Sequence, residues 1–355
     1  MVALLVLLAP RIAFRLAPAK KLRVVILDKT VPVHAFREHA AIPWLLHAAK
    51  IQDPSGRYLD PRSDYVGFDP GTRSGRPLTE ADLAGADVLV CTDTYGVYRG
   101  DYEASLAAAM ERSPKIYGGL DDAEAKAIVD FAGRGGMVLA EFNTFASPTE
   151  DGPRARLEAL FGVRWTRWVA RYWPDLADES EVPAWLGRLY QRVTGKPFDL
   201  TGPALVFIED DVDVVVLRPG EDLGADVVTQ LRTPAGAAYG FPPRGAYWFW
   251  MDVVEATDGE VLYEHVVDVT EGGAERLRRH GLPARFPAFV KRKTAYYFAG
   301  DFVDTTIELG DPERFGLVEY RTRTAGCGGG DVGTDGFFWG FYAPIVTRLF
   351  ASRAH

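Results

Sequence analysis

The sequence has very few of the residues and motifs from which metal centres and nucleophilic sites are commonly built. Only two of its 355 residues are cysteine, Cys91 and Cys327, and they form neither a CxxC pair nor a zinc-binding spacing. A disulfide framework and a structural zinc site are therefore not expected. GxSxG and HExxH motifs are also absent, which removes the signatures of serine hydrolases and zinc proteases. We predict no metal and no cofactor.

A long basic run is missing as well, and the formal net charge is -9. Binding to a phosphate backbone needs clustered lysine and arginine, so nucleic acid is excluded as the main partner. Hydrophobic residues, in contrast, make up 47% of the chain and charged residues 25%. This composition is ordinary for a globular protein with a sizeable core, arranged in one large or two modest domains.

Residues 1–21 contain an apolar run that ends at Pro10 and is followed by four basic residues. A membrane span needs about 20 apolar residues, so this run is too short for a complete span, and it lacks the charged start of a signal peptide. Two interpretations stay open: a core or interface segment, or the end of a membrane anchor whose first residues precede this chain. We favour the anchor, which predicts a membrane tether through the N-terminus. The side of the membrane is open, with the extracytoplasmic side preferred, and the alternative is a cytoplasmic protein.

Buried strands and helices alternate over residues 22–150, which we predict to form an α/β core. The strand patterns are at 22–30, 87–92 and 137–143, and the helix patterns are at 36–51, 79–86 and 121–136. Strands that are apolar along their whole length are typical of parallel sheets covered on both faces. The alternation predicts an open, mostly parallel, flavodoxin-like sheet with helices on both faces.

The pattern changes in the rest of the chain. Residues 151–200 are rich in tryptophan and tyrosine and have little strand pattern, so we predict an aromatic-rich irregular or helical cap. Residues 201–355 contain further strand patterns and a closing aromatic helix at 335–352, and we predict that they add the remaining β structure of the core. The glycine-rich stretch Cys327–Gly330 is predicted to be a flexible loop.

Three of the predicted strands end in polar clusters, at Asp28–Thr30, Thr92–Tyr95 and Glu141–Thr144. Ligands of open α/β sheets bind at the carboxyl ends of the strands, and short connections favour neighbouring positions for these strands. We therefore predict a functional site at this edge of the sheet. Each cluster taken alone has an alternative interpretation, because the same residue types cap helices and build turns.

The residue types in these clusters favour chemistry on a carbohydrate. Two carboxylates at a suitable separation can act as acid and base, or as acid and nucleophile, in glycoside cleavage. The predicted catalytic residues are Asp28, Asp93 and Glu141, and the predicted substrate-binding residues are Lys29, His34, Arg37, His39, Tyr95, Asn143 and Arg171. Cys91 lies within a strand and has no glycine beside it, so we interpret it as a small buried hydrophobic residue.

Four stretches carry a family resemblance: RVVILDKT, ADVLVCTDTYG, DDAEAKAIVDFAGRGGMVLAEFN and KTAYYFAGDFVD. They resemble the class I glutamine amidotransferase-like superfamily, and within it the non-amidotransferase branches, such as β-galactosidase trimerisation-like domains and membrane-linked bacterial proteins. Glutaminase members of this superfamily carry a Gly-x-Cys-x-Gly elbow with a downstream His and Glu. The corresponding turn here is Glu141–Phe145, so the resemblance does not imply glutaminase activity. Many relatives without that cysteine are binding or structural domains.

Three functions follow from these observations. The first is an envelope-associated carbohydrate-active enzyme, a hydrolase acting on a glycan, that uses strand-end carboxylates for acid–base chemistry. The second is a non-catalytic sugar-binding or assembly domain of a membrane-linked polysaccharide system. A Cys-dependent glutaminase is the least favoured. The predicted partner is a saccharide ligand, and an oligomer is compatible with the sequence.

Overall fold

The computed structural model describes residues 2–109, 112–210, 212–305, 308–325 and 334–355. Its α-helices are α1 (Val2–Leu16), α2 (Ala41–Ala48), α3 (Ala104–Ala109), α4 (Asp122–Gly133), α5 (Asp151–Phe161), α6 (Ala184–Thr194), α7 (Pro234–Ala238), α8 (Glu271–Arg279), α9 (Leu317–Ala325), α10 (Thr334–Phe337) and α11 (Ala343–Ala351). A 3₁₀ turn forms at Arg99–Asp101 and a π turn at Phe338–Tyr342. The loop predicted at Cys327–Gly330 lies outside the described residues.

The β-strands are β1 (Lys20–Lys21), β2 (Val24–Asp28), β3 (Ile51–Gln52), β4 (Val66–Asp69), β5 (Ser74–Gly75), β6 (Val88–Asp93), β7 (Val97–Tyr98), β8 (Lys115–Tyr117), β9 (Met137–Ala140), β10 (Val163–Trp173), β11 (Ala204–Glu209), β12 (Asp213–Leu217), β13 (Val228–Arg232), β14 (Arg244–Tyr247), β15 (Met251–Ala256), β16 (Glu260–Val266), β17 (Arg285–Arg292) and β18 (Ala295–Phe298). Within the described ranges they form a ten-stranded main sheet, a four-stranded second sheet and two small two-stranded sheets.

The main sheet has the strand order β14-β13-β16-β17-β18-β9-β6-β2-β4-β5. Its central strands β18, β9, β6, β2 and β4 run parallel to one another, which confirms the α/β class and the parallel arrangement of the N-terminal half. The other neighbours pair antiparallel, so the prediction of a mostly parallel sheet holds only for that half. Between β17 and β18, for example, the chain has only Lys293 and Thr294, and a two-residue turn can join only antiparallel strands.

Strand β6 shows why the parallel strands have apolar sequences. Val88 and Val90 pack into one hydrophobic core, while Leu89 and Cys91 pack into another. Successive side chains of a strand point to opposite faces, so a sheet covered on both faces needs apolar residues at every position. Cys91 is completely buried, as predicted, and burial raises the pKa of its thiol to about 12.

The second sheet has the strand order β12-β11-β10-β15, and all of its neighbours are antiparallel. The segment at 151–200 is therefore not an irregular or helical cap but contains α5, the long strand β10 and α6. A bulge interrupts β10, where the register with β15 shifts between Trp165 and Val169 and Arg167 has a φ of 72°. Because a bulge breaks the alternation of inward and outward side chains, it hid this strand in the sequence.

Helix α1 contacts the rest of the protein near its C-terminal end. Lys50 Nζ donates to carbonyl oxygens there, including that of Phe14, and Arg11 forms an ion pair with Asp311. A cation at this end is favourable because it meets the negative end of the helix dipole. No helix in the described part of the chain is both long and apolar enough to cross a membrane. Membrane association of residues 1–21 stays a prediction.

Candidate functional site

The carboxyl ends of the parallel strands β2, β6, β9 and β18 lie side by side at one edge of the main sheet. In the strand register, Asp28 is opposite Asp93 and Cys91 is opposite Ala140. A cavity of about 670 Å³ lies at this edge and is lined by residues of both the main and the second sheet. We call it the strand-end cavity. It occupies the position where open α/β sheets bind their ligands.

Several carboxyl groups line the strand-end cavity, and we call four of them the carboxyl cluster: Glu38, Asp93, Asp301 and Asp304. Glu38, Asp93 and Asp301 each have an oxygen within 4.8 Å of the other two. Arg37 forms an ion pair with Asp304 at 2.9 Å and with Glu38 at 3.4 Å. Within the described residues, Arg37 is the cation that forms ion pairs with this cluster, so negative charge is in excess.

Burial keeps protons on the carboxyl cluster near neutral pH. It raises the pKa of Asp93 to about 7 and the pKa of Asp304 to about 6. Burial, followed by the negative charge of Asp304, raises the pKa of Glu38 and of Asp301 well above the usual range for carboxyl groups. A group with a pKa near 7 can both donate and accept a proton at physiological pH. The cluster is therefore suited to proton transfer or to binding a cation.

Asp93 joins the ends of three strands. Its Oδ1 accepts hydrogen bonds from the Tyr95 N–H at 2.6 Å and from Thr30 Oγ1 at 2.8 Å, and its Oδ2 accepts one from Asn143 Nδ2 at 3.4 Å. These bonds hold the carboxyl group at the cavity wall. The structure thus brings five of the predicted site residues to the strand-end cavity: Arg37, Asp93, Tyr95, Asn143 and Arg171.

Asn143 lies in the sharp turn that follows β9 and has a φ of 63°. Asparagine tolerates this left-handed conformation better than most residues other than glycine. The Asn143 N–H donates to Asp252 Oδ2 at 3.3 Å, which helps to hold the turn. The side-chain amide of Asn143 offers no nucleophile comparable to a thiolate at this turn.

Arg171 reaches the cavity from β10 and lies among three aromatic rings. Its guanidinium carbon is 5.0 Å from the ring centre of Trp173, 4.6 Å from that of Phe249 and 5.5 Å from that of Trp250. Its Nη2 also donates to Glu181 Oε2 at 2.5 Å. These cation–π contacts restrict the planar group, so Arg171 is a pre-positioned hydrogen-bond donor at the cavity wall.

Asp28 and His39 form a buried pair and do not line the strand-end cavity. His39 Nδ1 lies 2.5 Å from Asp28 Oδ2, and His39 Nε2 lies 2.7 Å from the carbonyl oxygen of Pro61. Burial opposes the charged imidazolium, but the hydrogen bond and charge of Asp28 prevail and raise the pKa of His39. Both side chains are completely buried. The structure therefore places this pair in the interior and not with the cavity-lining residues, and the catalytic and substrate-binding roles predicted for Asp28 and His39 stay predictions.

Glu141 is also used within the fold. Its Oε2 accepts hydrogen bonds from the backbone N–H groups of Phe302 at 2.9 Å and Val303 at 3.0 Å, and its Oε1 accepts one from the Tyr342 hydroxyl. Burial raises the pKa of Glu141 to about 8. Glu141 does not line the strand-end cavity, and its contacts anchor the segment after β18.

Lys29 and His34 lie away from the strand-end cavity as well. Lys29 Nζ donates to Glu124 Oε2 at 2.6 Å and to the carbonyl oxygen of Gly119 at 2.7 Å, and the lysine and glutamate side chains are both 2% exposed. Its neighbour Asp28 contacts a different part of the fold, because adjacent residues at a strand end point to opposite sides. His34 is exposed on a loop.

Three residues of the carboxyl cluster were not predicted as site residues: Glu38, Asp301 and Asp304. Asp301 and Asp304 belong to the sequence GDFVD, which follows an apolar strand in the same way as the three recognised polar clusters. The signal was therefore present in the sequence. The position of β18 beside β9 could not be predicted from the sequence, because the whole second sheet lies between the two strands along the chain.

Comparisons with known proteins assign no family to this chain: no protein-family model matches it, and no curated protein does. Among solved structures, a β-galactosidase from Bacillus circulans sp. alkalophilus is 13% identical with a TM-score of 0.35, over 80% of this chain and 30% of that chain. A glutamine amidotransferase from Thermotoga maritima is 10% identical with a TM-score of 0.39, over 94% and 97% of the two chains. A cytoplasmic protein from Salmonella typhimurium LT2 is 12% identical with a TM-score of 0.40, over 94% and 100%.

The chain spans only 30% of the β-galactosidase and 32% of an α-L-fucosidase from Paenibacillus thiaminolyticus. At such identities and TM-scores these likenesses carry no argument about activity. The function has to be inferred from the site itself.

Proposed function

We propose that the protein binds a carbohydrate in the strand-end cavity. The observation that carries this proposal is the combination of the carboxyl cluster with aromatic rings in one cavity, which is also lined by Trp165, Trp185, Phe249, Trp250 and Arg171. Aromatic rings pack on the apolar faces of sugars, while carboxylates and guanidinium groups bond to hydroxyl groups. The volume of about 670 Å³ lies within the range of about 300–1,000 Å³ that is usual for small-molecule sites.

A second cavity, of about 590 Å³, adjoins the first and supports a ligand longer than one sugar unit. It shares Arg37, Arg171, Phe249, Asp301 and Asp304 with the strand-end cavity. A ligand that occupies both cavities would therefore pass the Arg171 side chain. The proposed ligand is an oligosaccharide, bound across the two cavities.

Cleavage of the bound glycan is the second candidate, and the pKa of Asp93 favours it. A carboxyl group with a pKa of about 7 is partly protonated at neutral pH and can act as a general acid. The oxygens of Asp93 and Asp301 lie within 4.8 Å of each other, which is nearer to the separation of about 5–5.5 Å in retaining glycosidases than to the longer inverting one. In this mechanism Asp93 would protonate the leaving group, and Asp301, whose pKa burial raises well above its usual range, would have to lose its own proton before it could act as the nucleophile.

Calorimetry with a panel of bacterial surface oligosaccharides on the full chain tests binding, and product analysis of each mixture tests cleavage. The informative variant is Trp185→Ala, because Trp185 lines the cavity and is partly exposed. Tyr320→Ala is the matched control, since Tyr320 is an exposed aromatic residue outside the cavity. Loss of one aromatic contact, worth about 0.5–1.5 kcal/mol, should weaken binding roughly two- to tenfold in Trp185→Ala.

Binding without products supports the carbohydrate-binding function. Products from the wild type that disappear in Asp93→Asn support cleavage. If no oligosaccharide of the panel binds, or if Trp185→Ala and Tyr320→Ala weaken binding equally, the proposal is wrong.

A further inference from the structure

We propose that the carboxyl cluster is a binding site for a hard divalent cation, Ca²⁺ by its geometry, with Glu38, Asp93 and Asp301 as ligands and Asp304 as a fourth carboxylate beside them. This inference goes beyond carbohydrate binding and does not depend on it. Nothing in the sequence indicated it, because these four residues come from three separate segments.

The spacing of the oxygens fits one ion. Glu38, Asp93 and Asp301 each offer an oxygen within 4.8 Å of the other two. Two oxygens bound to one Ca²⁺ at about 2.3–2.6 Å are at most about 5 Å apart, so an ion can contact all three oxygens without large movement. For Mg²⁺, with bonds of about 2.0–2.1 Å, the limit is about 4 Å. The arrangement therefore suits Ca²⁺ better.

Asp301 is a buried carboxyl group on which Arg37 and Arg171 act only from beyond ion-pair distance. Only 6% of the residue is exposed, and it lines the strand-end cavity. In the described part of the chain its carboxylate takes part in neither a hydrogen bond nor an ion pair. A buried carboxylate is unfavourable unless it is neutralised or paired, and the ligand position beside Glu38 and Asp93 would pair it.

Asp304 gives a second and separate indication, because it is not one of the three clustered ligands. Its side chain is 3% exposed, and while Oδ2 contacts Arg37, the buried Oδ1 has no hydrogen-bond partner among the described residues. Asp304 lines the same cavity, and after burial its charge is the largest influence that raises the pKa of Glu38 and Asp301. An unpaired buried oxygen is unfavourable, and a cation among these groups would pair it.

Asp93 cannot donate a proton while it is a ligand, so a bound cation and glycan cleavage by Asp93 exclude each other.

Terbium luminescence on the full chain, stripped with EDTA, tests the site. Tb³⁺ replaces Ca²⁺ at oxygen sites and is excited by nearby tryptophan, and Trp165, Trp185 and Trp250 line the cavity. The informative variant is Asp301→Asn, because the number of charged ligands sets the affinity of such sites. The matched control is Glu181→Gln, a carboxylate that lines the same cavity but pairs with Arg171.

We expect saturable emission that Ca²⁺ displaces, a roughly tenfold or greater loss of affinity in Asp301→Asn, and wild-type affinity in Glu181→Gln. A second measurement needs no variant: calorimetry should show tighter binding of Ca²⁺ than of Mg²⁺, as the oxygen spacing predicts. Absence of saturable emission, equal affinity of Asp301→Asn and wild type, or tighter binding of Mg²⁺ than of Ca²⁺ would each overturn the inference. Carbohydrate titration in EDTA separates the two proposals. Tb³⁺ binding without carbohydrate binding would leave the cation site standing alone, and carbohydrate binding without Tb³⁺ binding would leave the carbohydrate site standing alone.

Discussion

Replacing Lys29 with methionine tests whether this strand-end residue serves the fold or a ligand. Its ammonium group contacts Glu124 Oε2 at 2.6 Å and the carbonyl oxygen of Gly119 at 2.7 Å, and it lies 4.9 Å from the ring centre of Tyr117. Methionine has a similar length and no charge. The substitution therefore leaves the Glu124 carboxylate buried without its cation.

The expected cost is about 3 kcal/mol of unfolding free energy. Removal of one partner from a buried ion pair costs about 3–5 kcal/mol, because the other charge stays uncompensated. Glu124 also accepts hydrogen bonds from the N–H groups of Leu78 at 2.9 Å and Asp121 at 3.1 Å, which favours the lower end of that range. The matched control is Lys126→Met. Lys126 pairs with Asp130 but is 63% exposed, and exposed pairs contribute at most about 1 kcal/mol.

Urea unfolding followed by tryptophan fluorescence measures both free energies, and calorimetry on the folded variant measures carbohydrate affinity. We expect Lys29→Met to lose about 3 kcal/mol of stability and to keep the affinity of the wild type. A loss as small as that of Lys126→Met would refute the reasoning about the buried pair. If the stability is unchanged and the carbohydrate affinity is lost, Lys29 takes part in ligand binding.

Three further predictions concern other strand-end residues. The folded-state pKa of His39 is raised above its ordinary value of 6.5, so the stability from its pair with Asp28 is fully present below that pH and is lost as the pH rises through the folded value. His39→Gln should remove this decline in thermal unfolding measured against pH, and a curve like that of the wild type would contradict it. Burial raises the pKa of Glu141 from 4.5 to about 8. The contribution of Glu141 to the free energy of unfolding is therefore fully present below pH 4.5, and it falls by at most about 1.4 kcal/mol per pH unit until the pH reaches the folded-state pKa. Glu141→Gln should flatten that part of the curve, and persistence of the full slope would show that other groups cause it. Asn143 has a φ of 63°. Asn143→Gly should keep the free energy of unfolding within about 0.5 kcal/mol of the wild type, while Asn143→Ala should lower it by about 1 kcal/mol. Equal melting temperatures of the two variants would contradict the strained turn.

The sequence by itself determined the parallel half of the main sheet and the edge at which the strand-end cavity lies. Strands such as β6 and β9 are apolar at every position and end in polar residues, and these are local features that need no knowledge of the partners. The same features indicated Asp93, Tyr95 and Asn143. The burial of Cys91 was also predicted correctly, because both faces of such a strand are covered and a small apolar side chain on either face lies in the core.

Only the tertiary structure decided which polar groups face the cavity. Asp28, Lys29 and Glu141 look like Asp93 in the sequence, but Asp28 pairs with His39, and the partners of Lys29 and Glu141 come from remote segments, helix α4 and the Tyr342 hydroxyl. A hydrogen bond between groups that are far apart along the chain leaves no local pattern. The carboxyl cluster has the same origin, since it exists only because β18 pairs with β9 and brings Asp301 next to Asp93.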